Sequence, residues 1–464
     1  MTADLAFLTE LFSPAQRSLA PADRDEYAED WGRSGGDPDA VVWAESTDDV
    51  SVLLEACDDR GVPVTPYAAG SGIEGAALAA EGGVALDTTR LDAVEPVRPD
   101  DLQLDAGAGA VGGDVEDAAA EHGLFCPPFP QSAAFSTVGG MVATGASGTK
   151  TFKYGEVGDW VLGLEAVLAD GTVVETGSRA RKSSSGYDLT ALLVGSEGTL
   201  AVVTRVRLAL APEPPARRAG RATFESLDDA AAAVSLVVRE GIDVATLELV
   251  DPLTARMVSA YADADVPADP SVFVEIHAGT GAGADAEAER CVAALERAGG
   301  TVAFADDPAE MARIWAARRQ AADAIEAWDE SRTALTVGDV TVPIGSFPEM
   351  VRSVRAIGAE HGFDVPAFGH AGDGNVHYVV LVDPDDPDEV ARGRAASDRI
   401  VERALELEGT STGEHGVGLG KRGYMEREHG AGAVGAMWAL KRALDPNGIL
   451  NPGSGLPDPD DTGE

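Results

Sequence analysis

Short apolar runs broken by glycine, proline and acidic residues recur along the whole chain, and no repeat period appears. The pattern predicts a helix from Thr47 to about Arg60, capped by Thr47 and stopped by Gly61. Strands are expected at Val62–Thr65, Val84–Asp87 and Leu102–Asp105, then a helix over Val115–His122 that ends at Gly123. From there to Leu210 glycine and β-formers dominate, with strands expected at Val161–Leu168, Thr172–Thr176 and Thr199–Leu210. The stretch "APEPPARR" (211–218) reads as a linker. Beyond it strands (Arg221–Phe224, Ala245–Val250, Val272–His277, Val302–Ala305) alternate with helices. Those helices are Leu227 onward with Ser226 as cap, Pro252–Tyr261 and Ala284–Ala298. This order predicts an α+β domain with helices on one face of an antiparallel sheet. The tail "LPDPDDTGE" is expected to be disordered.

With 464 residues the chain is too long for one core, so two or three domains are expected. The start "MTADLAFLTE" lacks the basic and apolar regions of a signal peptide, and no apolar run reaches the length of a membrane span. Cys57, Cys126 and Cys291 are odd in number and widely spaced, which points to a reducing, cytoplasmic compartment without a disulfide framework. Peripheral attachment to the inner membrane face is compatible with this reading. The charge changes the picture more. There are 79 acids against 35 Lys and Arg, a net charge of −44, and only five of those bases are lysine. The acids are spread along the chain, which suits a high-salt cytoplasm, where repulsion is screened. Nucleic acid is excluded as a partner on the same ground.

Two glycine loops carry candidate chemistry. "PYAAGSGIEGAA" (66–77) contains a literal G-x-G-x-x-G at Gly70, Gly72 and Gly75, yet Gly82 and Gly83 follow where a dinucleotide-binding fold needs a long helix. A nest of backbone N–H groups around a pyrophosphate fits better, since no lysine or arginine lies between Arg60 and Arg90. "STVGGMVATGASG" (136–148) is built almost entirely of small residues, which lets backbone approach a flat ring; close backbone packing would demand the same composition. "GSEGTLAVVTRVRLAL" (195–210) is a turn feeding a long strand.

The third site is "GHAGDGNVHYVV" (369–380), which holds two of only seven histidines. On a helix His370 and His377 would stand about 10 Å apart and could not share a metal. Gly372, Gly374 and the D-G-N sequence argue instead for a tight turn between two strands, which can bring both imidazoles to one point. "TGEHGVGLGK" (412–421) offers Glu414 as a third ligand, with His415 beside it. The other histidines (His122, His277, His361, His429) read as structural, and Cys126 as a small buried residue.

These loops, with "YGEVGDWVLGLEAVLADGTVVETG", "GYDLTALLVGSEGTL" and "LDPNGILNPG", resemble the vanillyl-alcohol oxidase/p-cresol methylhydroxylase superfamily from about residue 40 to 453. Within it, "GIEGAA", "MVATGASGT", "GHAGDGNVH" and "STGEHGVGLGKRGYMEREHG" are similar to FAD-dependent D-lactate and D-2-hydroxyacid dehydrogenases of the cytochrome-linked type. The resemblance implies a two-subdomain FAD-binding domain (1–215), an α+β cap or substrate domain with an antiparallel sheet (216–410), and a C-terminal segment (411–464) returning to the flavin.

It also implies noncovalent FAD, since neither loop carries a linkage histidine or cysteine. The implied FAD contacts are Ala69, Gly70, Ser71, Gly72, Ile73 and Glu74 in the first loop, and Pro130, Gln131 and Thr137 before the second. Gly139, Gly140, Ala143, Thr144, Ala146, Ser147 and Gly148 follow, then Glu197, Gly198, Val203 and Asn451. At "PPFPQSAAFST" the chain departs from the family, which usually has an acidic residue between two prolines. By the same resemblance His370, His377 and Glu414 hold a divalent metal, zinc or manganese, with iron(II) equally compatible with the ligand set. His415 is then the catalytic base, Asn375 a polar substrate contact and Arg318 the substrate-carboxylate partner, with neighbouring Arg319 a solvated charge. The implied reaction is oxidation of D-lactate or a similar D-2-hydroxy acid, with electrons leaving to a cytochrome, quinone or electron-transfer protein. The alternative is a glycolate-oxidase-type subunit of a larger flavin oxidase. The oligomeric state is open, a homodimer included.

Overall fold

The computed structural model describes residues 5–262, 268–305 and 307–458. Residues 459–464 of the expected disordered tail lie outside them. The chain divides into two compact units, one made of Met1–Gly148, Gly155–Glu213 and Glu414–Glu464, the other of Thr149–Tyr154 and Pro214–Gly413.

The first unit contains two four-stranded sheets. In one, Ala40–Trp43, Val84–Asp87 and Val64–Tyr67 run parallel, with the short Arg17–Ser18 antiparallel at its edge. The other is antiparallel, in the order Gln103–Gly107, Val202–Ala209, Val161–Val167, Val173–Glu175. Helix Thr47–Asp58 packs on the first sheet because Val50, Leu53, Leu54 and Cys57 fall on one face at helical spacing and are fully buried. Its cap is Ser46, whose hydroxyl accepts from Asp49 N at 3.2 Å. Thr47, the expected cap, instead donates to Glu165 Oε1 at 2.6 Å. Helix Val138–Thr144 was not among the expected elements, although its signals are present in the sequence: Thr137 caps it and Gly145, at φ 71°, ends it left-handed.

The second unit is built on a seven-stranded antiparallel sheet. Its strand order is Thr301–Phe304, Ala216–Thr223, Ser271–Ala278, Thr246–Val250, Ala367–Gly369, Asn375–Val382, Thr333–Thr341. Helices cover both faces, which corrects the one-face expectation. On strand Asn375–Val382, Val379 and Leu381 join the cluster that contains Ala255, Val258 and Ile325 of two helices. Val380 and Val382, on the opposite face, meet Gly393 of helix Pro387–Glu406, where an added Cβ would lie 2.8 Å from Val382. The strand is therefore buried along its whole length, and its unbroken apolar run is the sequence trace of that burial.

Candidate active site

In the first unit the glycine loop 68–83 contains no helix, so the dinucleotide-binding reading is excluded. Its Gly70 and Gly75 take φ of 61° and 80°. Ser136 Oγ donates to Ser71 Oγ at 2.9 Å and joins the two glycine loops. The third stretch arrives through Glu197 N, which donates to Ala143 O at 2.8 Å. Asn451 ties all of this to the closing segment: its Nδ2 donates to Ala76 O and to Glu197 O, both at 2.7 Å. Glu197 and Asn451 both adopt positive φ, 50° and 42°, a conformation that non-glycine residues rarely hold without such anchoring. Asn451 Oδ1 and Ser454 Oγ are buried here with no hydrogen-bond partner among the described residues. Buried polar atoms of that kind suit a polar ligand such as FAD.

Part of the small-residue run serves packing. A Cβ on Gly139 would sit 2.6 Å from Ala108 Cβ, and one on Gly148 would meet Phe129 O at 2.8 Å. The same added Cβ would lie equally close to Cα of Pro130, the residue that precedes Gln131–Ala134. Glu74, expected at the cofactor, points its carboxylate to Arg33 Nη2 at 2.9 Å and Lys421 Nζ at 3.4 Å. Its carbonyl accepts from Leu419 N and Gly420 N, so it anchors the segment after Glu414 and His415.

Glu197 acts on the same segment. Its Oε1 accepts from Val417 N at 2.8 Å, and Gly418 N donates to Oε2 at 2.9 Å. Burial pushes its carboxyl up to about 7, against the pull of those two N–H groups. Ser147, from the second glycine loop, donates to Glu414 Oε2 at 2.8 Å. His415 is half-buried.

In the second unit the turn forms as its residues require. Ala367–Gly369 pairs antiparallel with Asn375–Val382, Gly374 turns at φ 79°, and Phe368 faces His377 in register. A Cβ on Gly374 would strike Val342 O at 2.1 Å. His370 and His377 stand edge to face with ring centroids 5.1 Å apart, and both are buried. His370 Nδ1 lies 2.7 Å from Glu248 Oε1. Arg318 Nε donates to Glu248 Oε2 at 3.0 Å and its Nη2 donates to the same oxygen at 2.5 Å. Burial alone would raise the fully buried Glu248 carboxyl, but His370 and Arg318 hold it below the ordinary range. Arg319, one residue on, is exposed.

Asn375 donates from Nδ2 to Asp339 Oδ1 at 2.6 Å and to Thr341 Oγ1 at 3.1 Å, while its buried Oδ1 has no hydrogen-bond partner among the described residues. Asp339 also accepts from Gly413 N at 2.6 Å. Sequence reasoning missed Glu248 and Asp339. The signal was there: each is an acid inside an apolar strand, in "TLELV" and "LTVGDVT". His277, read as structural, bonds Tyr154 Oη at 2.9 Å and Glu275 Oε1 at 2.7 Å. Cys126 is buried, and burial raises its thiol.

Among the described residues no helix is long and apolar enough to cross a membrane. Residues 38–177 match the family "FAD binding domain" and residues 213–454 match "FAD linked oxidases, C-terminal domain". The chain is 34% identical over 427 residues to "Probable D-lactate dehydrogenase, mitochondrial" of Danio rerio, covering 90% of this chain and 84% of the relative. It is 35% identical over 418 residues to "Glycolate oxidase subunit GlcD" of Bacillus subtilis, covering 90% and 88%. In fold it is similar to 4-ethylphenol oxidase from Gulosibacter chungangensis, with a TM-score of 0.80 at 18% identity over 98% of this chain and 96% of that one. The p-cresol methylhydroxylase structure gives the same TM-score of 0.80 at 17% identity over 97% and 95%. On the family matches and on the extent of these identities, the chain belongs to the FAD-linked oxidases, with a p-cresol methylhydroxylase-type FAD-binding fold.

Proposed function

We propose that the protein oxidises a D-2-hydroxy acid, D-lactate or a close analogue, to the 2-oxo acid and passes the electrons to an external acceptor. The observation that carries this reading is the buried turn in which His370 and His377 face each other beside the unpartnered Oδ1 of Asn375. The relatives named D-lactate dehydrogenase support the substrate class. Bound noncovalently, FAD would supply the two-electron acceptor, and a divalent metal held by His370, His377 and Glu414 would supply Lewis acidity at the substrate's α-hydroxyl.

The donor set suits such a metal, since two imidazoles and one carboxylate leave coordination positions open. With Nδ1 of His370 facing Glu248, a metal would be ligated through the Nε2 side of the ring. What supports adding Glu414 is covalent. Gly413 N is held on Asp339, whose Oδ1 lies 3.7 Å from His377 Nδ1, and Glu414 and His415 are the next two residues, at roughly 3.8 Å of chain each.

The chain's own residues then divide the work. Arg318 holds the substrate carboxylate, because its cation is fixed by Glu248 yet keeps donors to spare. Asn375 Oδ1 accepts a hydrogen bond from the substrate. His415 takes the hydroxyl proton as the C–H bond at C2 breaks and the electron pair leaves with its hydrogen. The deciding experiment is anaerobic addition of D-lactate to the purified protein. Bleaching of the visible flavin band by D-lactate but not L-lactate supports the reading, and no bleaching by any D-2-hydroxy acid sinks it.

The 35% identity to the glycolate oxidase subunit favours a second reading, a subunit of a larger flavin oxidase acting on glycolate. Bleaching by glycolate in preference to D-lactate would select it.

A further inference from the structure

We infer that Glu248 is a positioning residue: one buried carboxylate sets both the tautomer of His370 and the aim of Arg318. The inference rests on the metal reading above for its purpose, but its geometry stands independently. Glu248 lies on strand Thr246–Val250, is 0% exposed, and divides its two oxygens between partners. Oε1 takes His370 Nδ1 at 2.7 Å, and Oε2 takes Nε and Nη2 of Arg318. A carboxylate can only accept, so the proton of neutral His370 must sit on Nδ1 and the lone pair on Nε2. Arg318 is held from a second side by Phe368, whose ring centroid lies 5.0 Å from the guanidinium carbon. With Nε and Nη2 engaged, the Nη1 edge is the part left to receive another anion.

The arrangement makes Glu248→Gln an informative change with almost no change in shape. A guanidinium has no acceptor, so it claims the carbonyl end of the glutamine. The amide NH2 then faces His370 Nδ1, which must become an acceptor and move its proton to Nε2. The ligand lone pair is lost although every heavy atom stays in place.

The test uses the FAD-loaded, metal-stripped full chain with 15N-labelled histidine, the His370 signals being identified by their loss in His370→Asn. In the wild type, above the histidine's titration, His370 should show a protonated Nδ1 and a bare Nε2; the opposite tautomer overturns the inference. In Glu248→Gln the pattern should invert. Affinity for Zn2+ or Mn2+, by calorimetry, should fall on the order of 10–100-fold, with flavin content unchanged. KM for the hydroxy acid should rise as well, since a neutral amide oxygen holds the Arg318 guanidinium in its aim less firmly than the carboxylate does. Metal affinity within twofold of wild type, together with an unchanged KM, overturns the inference. If Glu248→Gln does not fold, the wild-type tautomer still decides. A wild type that binds no metal defeats the metal reading, while both tautomer measurements still judge Glu248.

Discussion

Ser147 donates its hydroxyl hydrogen to Glu414 Oε2 at 2.8 Å, so a residue of the second glycine loop holds a carboxylate 267 positions further along the chain. The contact links the expected flavin loop to the E-H dipeptide within one unit.

The neighbours Glu414 and His415 are expected to separate by function. Glu414→Ala should lose the metal and keep FAD. His415→Ala should keep both, while the rate of flavin reduction in stopped flow falls by roughly 10²–10⁴-fold, the usual worth of a positioned base. Near-normal reduction with an unchanged pH profile would remove His415 from the mechanism.

Replacing His370 or His377 by alanine should abolish metal binding without loss of flavin, because the loops proposed to carry the flavin contacts belong to the other unit. Elemental analysis beside the flavin absorbance of the same sample reads both. Full metal content in both variants would make the pair structural.

Acid or heat should release intact FAD into the supernatant. Flavin retained on the denatured chain would contradict noncovalent binding.

Glu197 gives a pH dependence of definite sign. Its carboxyl is raised by burial to about 7. A group raised on folding contributes its stability in full below its unfolded value and loses it as pH climbs through the folded one. The wild type should therefore lose stability, relative to Glu197→Gln, between about pH 4.5 and 7, by up to about 3 kcal/mol, and no further above that. Denaturant melts of the two proteins across this range give the difference directly. A constant difference would place the ionised carboxylate comfortably among the N–H groups of Val417 and Gly418.

The net charge of −44 predicts a melting temperature that rises steeply from dilute buffer to molar salt, as repulsion between carboxylates is screened. A flat response would count against adaptation to high salt.

Sequence pattern revealed most where a residue type has one strong local meaning. Ser226 caps helix Leu227–Arg239 as its spacing indicates, and Val84–Asp87 is a strand at the expected residues. The turn between His370 and His377 was legible because Gly372, Gly374 and the D-G-N sequence favour a tight turn, and Gly374 takes φ 79° there. Other features depend on partners distant in sequence. Nothing near Thr47 reveals that its hydroxyl reaches Glu165, which leaves capping to Ser46. Nor does the run around Gly139 reveal that Ala108 approaches it, so glycines that looked like a ring platform are in part a seam between backbones. Glu248 was overlooked because a lone acid in a strand gains its meaning only when His370 and Arg318 are brought to it.

The parallel sheet of the first unit has a consequence for how the molecule is made. Val64 N donates to Ile449 O at 2.8 Å, and Asn451 N returns a bond of 2.8 Å to Val64 O. The segment expected to complete the flavin cradle is therefore synthesised almost 390 residues after the strand it joins, with the entire second unit in between. At 5–20 residues per second the ribosome spends roughly 20–80 s on that interval. During it the first glycine loop waits without Asn451. Cofactor capture is then expected to be a late event of biogenesis, and nascent chains arrested before Ile449 should emerge colourless.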